Sequence, residues 1–88
     1  MQITFKLHAS LTDYLPRNAD GHRPHYNQLQ IEVPEGCDVQ SVIDRFNLPA
    51  GQVHLVLVNG VYVAPATRSR RVLSDGDALA IWPPIAGG

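Results

Sequence analysis

Residues 28–46 read QLQIEVPEGCDVQSVIDRF, and the spacing of the apolar residues changes midway. Leu29, Ile31 and Val33 alternate with Gln28, Gln30 and Glu32, the period-two pattern of a strand with one buried face. Pro34-Glu35-Gly36 then breaks the alternation, as a proline–glycine turn does. From Asp38 onward the apolar positions are Val39, Val42, Ile43 and Phe46, and spacings of three, one and three put them on a single helical stripe. Asp38 suits the N-cap, where a carboxylate accepts a hydrogen bond from an otherwise unpaired first-turn N–H. Asn47 and Pro49 supply the stop. The stretch therefore predicts a strand over 28–33 and an amphipathic helix over 38–46.

Working outward, residues 2–8, QITFKLH, set Ile3, Phe5 and Leu7 against Thr4, Lys6 and His8, a second half-buried strand. Residues 9–16, ASLTDYLP, suit a short helical turn ended by Pro16. Residues 17–27, RNADGHRPHYN, are almost without apolar side chains and read as a loop, so the first two strands form a hairpin with a long connection. On the other side, residues 53–58, VHLVLV, are nearly continuously apolar, as in a strand central to its sheet. Asn59-Gly60 is a strong two-residue hairpin signal before 61–64. Residues 66–77 are polar and end in Ser74-Asp75-Gly76-Asp77, a tight turn before a last strand over 78–82. Pro83 and Pro84 have no N–H to donate, so pairing stops there. The order is strand, strand, helix, strand, strand, strand. It predicts an α+β domain over 1–82, a mixed sheet of about five strands with the helix on one face, and a tail over 83–88. This is the β-grasp, or ubiquitin-like, arrangement.

At 88 residues the chain fits one domain. Its net charge of -1 gives no overall attraction to phosphate backbones or anionic lipid. Tyr14, Tyr26 and Tyr62 are scattered with few basic neighbours, so neither nucleic acid nor membrane is an expected partner. No run is long enough to span a bilayer, and MQITFKLH alternates where a signal peptide would be a continuous apolar block. A cytoplasmic location is the expectation, and the single cysteine, Cys37, agrees with a reducing compartment.

The closing stretch runs Leu73-Ser74-Asp75-Gly76-Asp77-Ala78-Leu79-Ala80-Ile81-Trp82-Pro83-Pro84-Ile85-Ala86-Gly87-Gly88. It resembles the sulfur-carrier family typified by MoaD, the small subunit of molybdopterin synthase, and ThiS, the thiamine sulfur carrier, and is closer to the MoaD pattern. Val58-Asn59-Gly60 fits the family's central hairpin, while residues 17–27 are longer than in its compact members. The resemblance implies that the Gly88 carboxylate is adenylated by a ubiquitin-activating-type partner using ATP and converted to a thiocarboxylate. A large synthase subunit would then receive the sulfur for the molybdenum cofactor. No cofactor is expected on the domain itself, which would not be catalytic alone. Thiamine, tungsten-cofactor or sulfur-amino-acid synthesis are alternative destinations, and a ubiquitin-like binding module without terminal chemistry is an alternative of another class.

The residues suit such a role on physical grounds. The six residues after Trp82 can reach roughly 20 Å from the domain. Pro83 and Pro84 stiffen the root of this arm by fixing φ, which lowers the entropy lost on threading. Ile85 and Ala86 follow, and Gly87 and Gly88 present no Cβ, so a narrow channel can close around the tip. Free carboxylates ionise near pH 3.5 and are poor electrophiles, hence the need for activation.

Docking is expected through Val56 and Val58 on an open sheet face, with Val53, Leu55 and Leu57 toward the helix, unless loop 17–27 folds over that face. One of the pairs Leu79/Ile81 and Ala80/Trp82 should border the same face. Arg68, Arg70 and Arg71 read as a solvated basic cluster that would steer an acidic partner. His22 and His25 lack the paired ligand clusters of a zinc site, and no metal is expected. Cys37 reads as a small residue at the helix start, not an activated thiol. Asp75-Gly76-Asp77 reads as a turn, with too few carboxylates for calcium.

Overall fold

The computed structural model describes residues 1–16 and 27–84. Strand β1 (Gln2–Leu7) leads through a 3-10 turn at Ala9–Tyr14 toward β2 (Gln28–Glu32), then helix α1 (Val39–Arg45), β3 (Leu55–Val58), β4 (Val61–Tyr62) and β5 (Ala78–Trp82). The sheet order is β2-β1-β5-β3-β4. β1 and β5 run parallel in the middle, with Phe5 opposite Leu79 and Leu7 opposite Ile81. The β1–β2, β3–β5 and β3–β4 pairs are antiparallel. This mixed sheet with one main helix is the β-grasp arrangement expected from the pattern of periods.

Helix α1 starts where its cap dictates. The Ser41 N–H donates to Asp38 Oδ1 at 2.7 Å, satisfying one of the four amides that a helix start leaves without a partner. Asn47 adopts φ +57° just past the C-cap Phe46, the left-handed stop that asparagine tolerates. Val39, Val42 and Ile43 are buried against Ile3, Phe5, Leu7, Ile31, Leu79 and Ile81 from the sheet, and Phe46 stacks on Phe5 with ring centroids 4.7 Å apart. Crossing from edge strand β2 to β3 at the other side of the centre, the chain places α1 over one face only.

The Asn59-Gly60 turn has positive φ at both residues, +51° and +82°, the geometry whose twist matches paired strands. It is tied to the next turn by side chains. Asn59 Nδ2 donates to Asp77 Oδ1 at 2.8 Å, and Asn59 Oδ1 accepts from the Ala78 N–H at 2.9 Å. Asp77 Oδ2 accepts from the Ser74 N–H at 2.8 Å. On the far side, the Thr4 N–H donates to the Asp77 carbonyl, the Gly76 N–H to the Gln2 carbonyl, and the Gln2 N–H to Asp75 Oδ1. Gly76, at φ +85°, makes the bend. Asp75-Gly76-Asp77 is thus a turn that joins β1, β3 and β5.

Two expectations are corrected. Val56 and Val58 do not lie on the open face: both are fully buried beneath α1, and Leu55 and Leu57 are the half-exposed pair. An apolar run gives no parity of its own. The partner strand sets it, because Val56 lies opposite Ile81 and Val58 opposite Leu79, the two fully buried residues of β5. Arg68 is not solvated. It is 8% exposed, with Nη2 3.5 Å from the His54 carbonyl, while its own carbonyl accepts from the Gln40 N–H. The segment over 66–77 is more ordered than its polarity suggests: Pro65–Thr67 form a 3-10 turn, Val72 bridges Asp38, and Leu73 joins the core.

Replacing Asp77 by alanine strands the Ser74 amide and the Asn59 side chain, so urea unfolding should show a loss of about 1–3 kcal/mol. A loss below the measurement error would remove this carboxylate from the fold's supports. Asp38→Ala should cost about 1 kcal/mol in the same assay, with Asp38→Asn or Asp38→Ser recovering most of it.

Candidate functional site

Because side chains alternate along each strand, the face opposite α1 is set by the register. Ala80 faces Lys6 on one side and Leu57 on the other, Leu57 faces Tyr62, and Trp82 faces Leu55. Toward β2 the same face becomes polar, with Thr4 opposite Gln30, and Lys6 opposite Gln28. Thr4 Oγ1 accepts from Gln30 Nε2 there at 2.8 Å. The open face is therefore divided. One half carries Leu55, Leu57, Tyr62 and Trp82 around the nearly buried Ala80, and the other a hydrogen-bonded polar ladder. A contiguous apolar patch on one half of a sheet is the mark of an interaction site.

His8 closes the border between the halves. Its ring lies parallel to Trp82, with centroids 4.0 Å apart and no angle between the planes. Burial under the indole, and then the nearby Lys6 ammonium, hold its pKa below the ordinary histidine value, which favours the neutral imidazole that stacks.

The root of the tail sits at the edge of this patch. β5 ends between β1 and β3, and both neighbours hold it: the His8 N–H donates to the Ile81 carbonyl at 3.1 Å and the His54 N–H to the Trp82 carbonyl at 3.0 Å. Pro83 is buried and Pro84 exposed. The pinned strand thus runs into a stiff dipeptide beside Trp82, buried at Pro83 and exposed at Pro84. Ile85, Ala86, Gly87 and Gly88, the expected reactive arm, lie outside the described residues, as do His22, His25 and most of loop 17–27.

The other candidates separate. Arg70 is exposed and Arg71 half-buried beside Tyr62, whereas Arg68 points inward. The Cys37 thiol has its pKa raised, first by burial and then by the Asp38 carboxylate, so it is no activated nucleophile. No group of three or more histidine, cysteine, aspartate or glutamate side chains suited to a metal ion occurs among the described residues. None of the described helices is long and apolar enough to cross a membrane.

The sequence reading missed Leu55, Leu57, Tyr62 and His8 as the face beside the tail. One signal was present. A two-residue turn at Asn59-Gly60 fixes Leu57 opposite Tyr62, and tyrosine has a polar tip that suits an open surface; this assigns Leu57, not Val58, to that surface.

The fold and the closing motif agree with what the chain is similar to. Comparison with curated proteins gives no significant match. Among solved structures, SAMP1 from Haloferax volcanii is 22% identical over all of both chains, with a TM-score of 0.67. A putative molybdopterin converting factor subunit 1 from Pyrococcus furiosus is 21% identical, covering 97% of this chain and 99% of its own, with a TM-score of 0.65. A complex of subunits 1 and 2 of the molybdopterin-converting factor from Helicobacter pylori contains a chain 14% identical over all of both, with a TM-score of 0.60. At these identities the likeness establishes the fold. Residues 17–88, which take in α1 and every described strand except β1 and end at Gly87-Gly88, match the model of the ThiS family, and the chain belongs to that family of ubiquitin-like sulfur carriers.

Proposed function

We propose that the protein carries sulfur as a thiocarboxylate on Gly88 and donates it in molybdopterin synthesis. The observation that carries this reading is the stiff Pro83-Pro84 root leaving a doubly pinned central strand beside an apolar patch, with Gly87-Gly88 ahead of it. The Gly88 carboxylate is a poor electrophile. In an activating partner of the ubiquitin-activating type it attacks the α-phosphorus of ATP, and pyrophosphate leaves. A sulfur nucleophile then displaces AMP from the acyl carbon, leaving the thiocarboxylate. The arm next enters a large synthase subunit, where the sulfur passes to a pterin precursor. The domain contributes the acyl group and the docking face; both partners and ATP belong to the cytoplasm.

Two neighbours support the molybdopterin destination: the Pyrococcus protein is named as a subunit of the converting factor, and the Helicobacter structure pairs such a subunit with a second one. The ThiS-family match favours a second destination, thiamine synthesis, through the same terminal chemistry. The partner's surface decides between them.

Intact-mass spectrometry after incubation with ATP, an activating enzyme and a sulfur donor should show one sulfur-for-oxygen exchange, localised to Gly88 by fragmentation. Deletion of Gly88 should abolish it while leaving the thermal transition in place, and persistence of the exchange would place the site elsewhere. On the docking face, Leu57→Glu should keep the thermal transition and reduce copurification with a large synthase subunit by about tenfold or more, as losing a central anchor does. Val56→Glu should instead unfold the protein, because it buries an unpaired carboxylate.

A further inference from the structure

The Tyr62 edge of the sheet carries a feature that the tail chemistry does not use. No described strand lies beyond β4. Val58 opposite Val61 closes the two-residue turn, and the Val63 N–H donates to the Val56 carbonyl. Hydrogen-bonded and non-bonded pairs alternate in an antiparallel ladder, so Leu57 and Tyr62 form a non-bonded pair. The Tyr62 N–H and C=O therefore point away from β3, toward the outer edge.

Beside that edge is a hollow of about 300 Å³ lined by Tyr62, Val63, Thr67, Arg70 and Arg71. Val63 is buried beneath it, while Tyr62 is 56% exposed. Both arginines carry charge that nothing described neutralises. Arg70 Nη2 lies 3.5 Å from the Ala66 carbonyl and Arg71 Nη1 donates to the Val72 carbonyl. Neither has a carboxylate partner among the described residues. The chain as a whole is -1, so this is a local concentration of positive charge and not part of a general one.

Free backbone groups on a strand edge recruit an extended peptide. Two guanidiniums select carboxylates, in paired hydrogen bonds. The hollow between them admits one aliphatic side chain. We propose that the outer edge of β4 is a docking site for an extended acidic peptide segment of a partner protein. Its backbone pairs with the Tyr62 N–H and C=O, its carboxylates with Arg70 and Arg71, and an aliphatic residue between them enters the hollow. The site lies across Tyr62 from the Leu55–Trp82 patch, so one partner can hold the apolar face while an acidic segment grips the edge. The inference does not rest on the sulfur chemistry and fails separately from it.

The test is titration of the isotope-labelled full chain with an acetylated, amidated peptide Glu-Asp-Leu-Val-Glu-Glu, followed by NMR. Amide shifts should concentrate on residues 61–72. Raising salt from low to physiological strength should weaken binding several-fold, because the contact is between exposed charges. Arg70→Glu combined with Arg71→Glu should weaken it by about tenfold or more, and the peptide with glutamine and asparagine in place of its acids should not bind. The double variant's thermal transition should match the parent's, since neither arginine is buried in the core. Shifts centred on another surface, equal binding of the amide peptide, or unchanged affinity in the double variant would each overturn the proposal. So would the same shifts arising without peptide, either on raising the protein concentration or on restoring residues 85–88 to a truncated chain. Those results would give the edge to a second copy or to the protein's own tail.

Discussion

One carboxylate holds the central strands in register. Asp77 is nearly buried, and its two oxygens accept from the Ser74 backbone and from the Asn59 side chain, whose own oxygen accepts from Ala78. The β3–β4 hairpin, the start of β5 and the start of β1 meet at that point. Sheet register has a period of two, so a slip of a single residue would exchange the core and solvent faces of β5. Leu79 and Ile81 would then leave the core, and Val56 and Val58 would lose their partners. The same slip would change where β5 ends, and with it the place from which Pro83 leaves. A bond remote from the tail thus fixes the origin of the tail.

The architecture was legible wherever one side chain period dominated. Residues 2–7 and 28–32 alternate, residues 39–46 repeat at helical spacing, and Asp38, Asn47 and Asn59-Gly60 mark ends and turns by their own stereochemistry. These signals are local, and local backbone preference agreed with the tertiary arrangement at each of them. The parity of β3 was not legible. VHLVLV is apolar on both sides because one side meets α1 and the other an exposed patch, and hydrophobicity alone cannot rank two apolar faces. The ladder to Leu79 and Ile81 resolves it, and that ladder links residues more than twenty positions apart.

The same limit explains the arginines. Arg68, Arg70 and Arg71 are equivalent as a composition, but the 3-10 turn at Pro65–Thr67 sends the first inward, under the carbonyl of His54, and leaves Arg70 outside. A rigid planar cation with a long aliphatic stem can serve in either setting. The terminal Gly87-Gly88 was readable only as part of a sequence motif, whereas the apolar face beside Trp82 required a register. The polar half of that face has its own logic: the Thr4–Gln30 ladder and Lys6 keep apolar contact confined to the β3–β5 half, which limits how a partner can be seated.

Trp82 is the sole tryptophan of the chain, and it stands at the junction of β5, the apolar patch and Pro83-Pro84, in ring contact with His8. Its ultraviolet emission therefore originates from a single place in the molecule, the end of the central strand. A partner that dries this corner, or an acid pulse that charges the imidazole beneath the indole, alters the quantum yield and colour of that light. The protein is in this sense its own unlabelled fluorophore, reporting on events where β5 gives way to Pro83 without any dye.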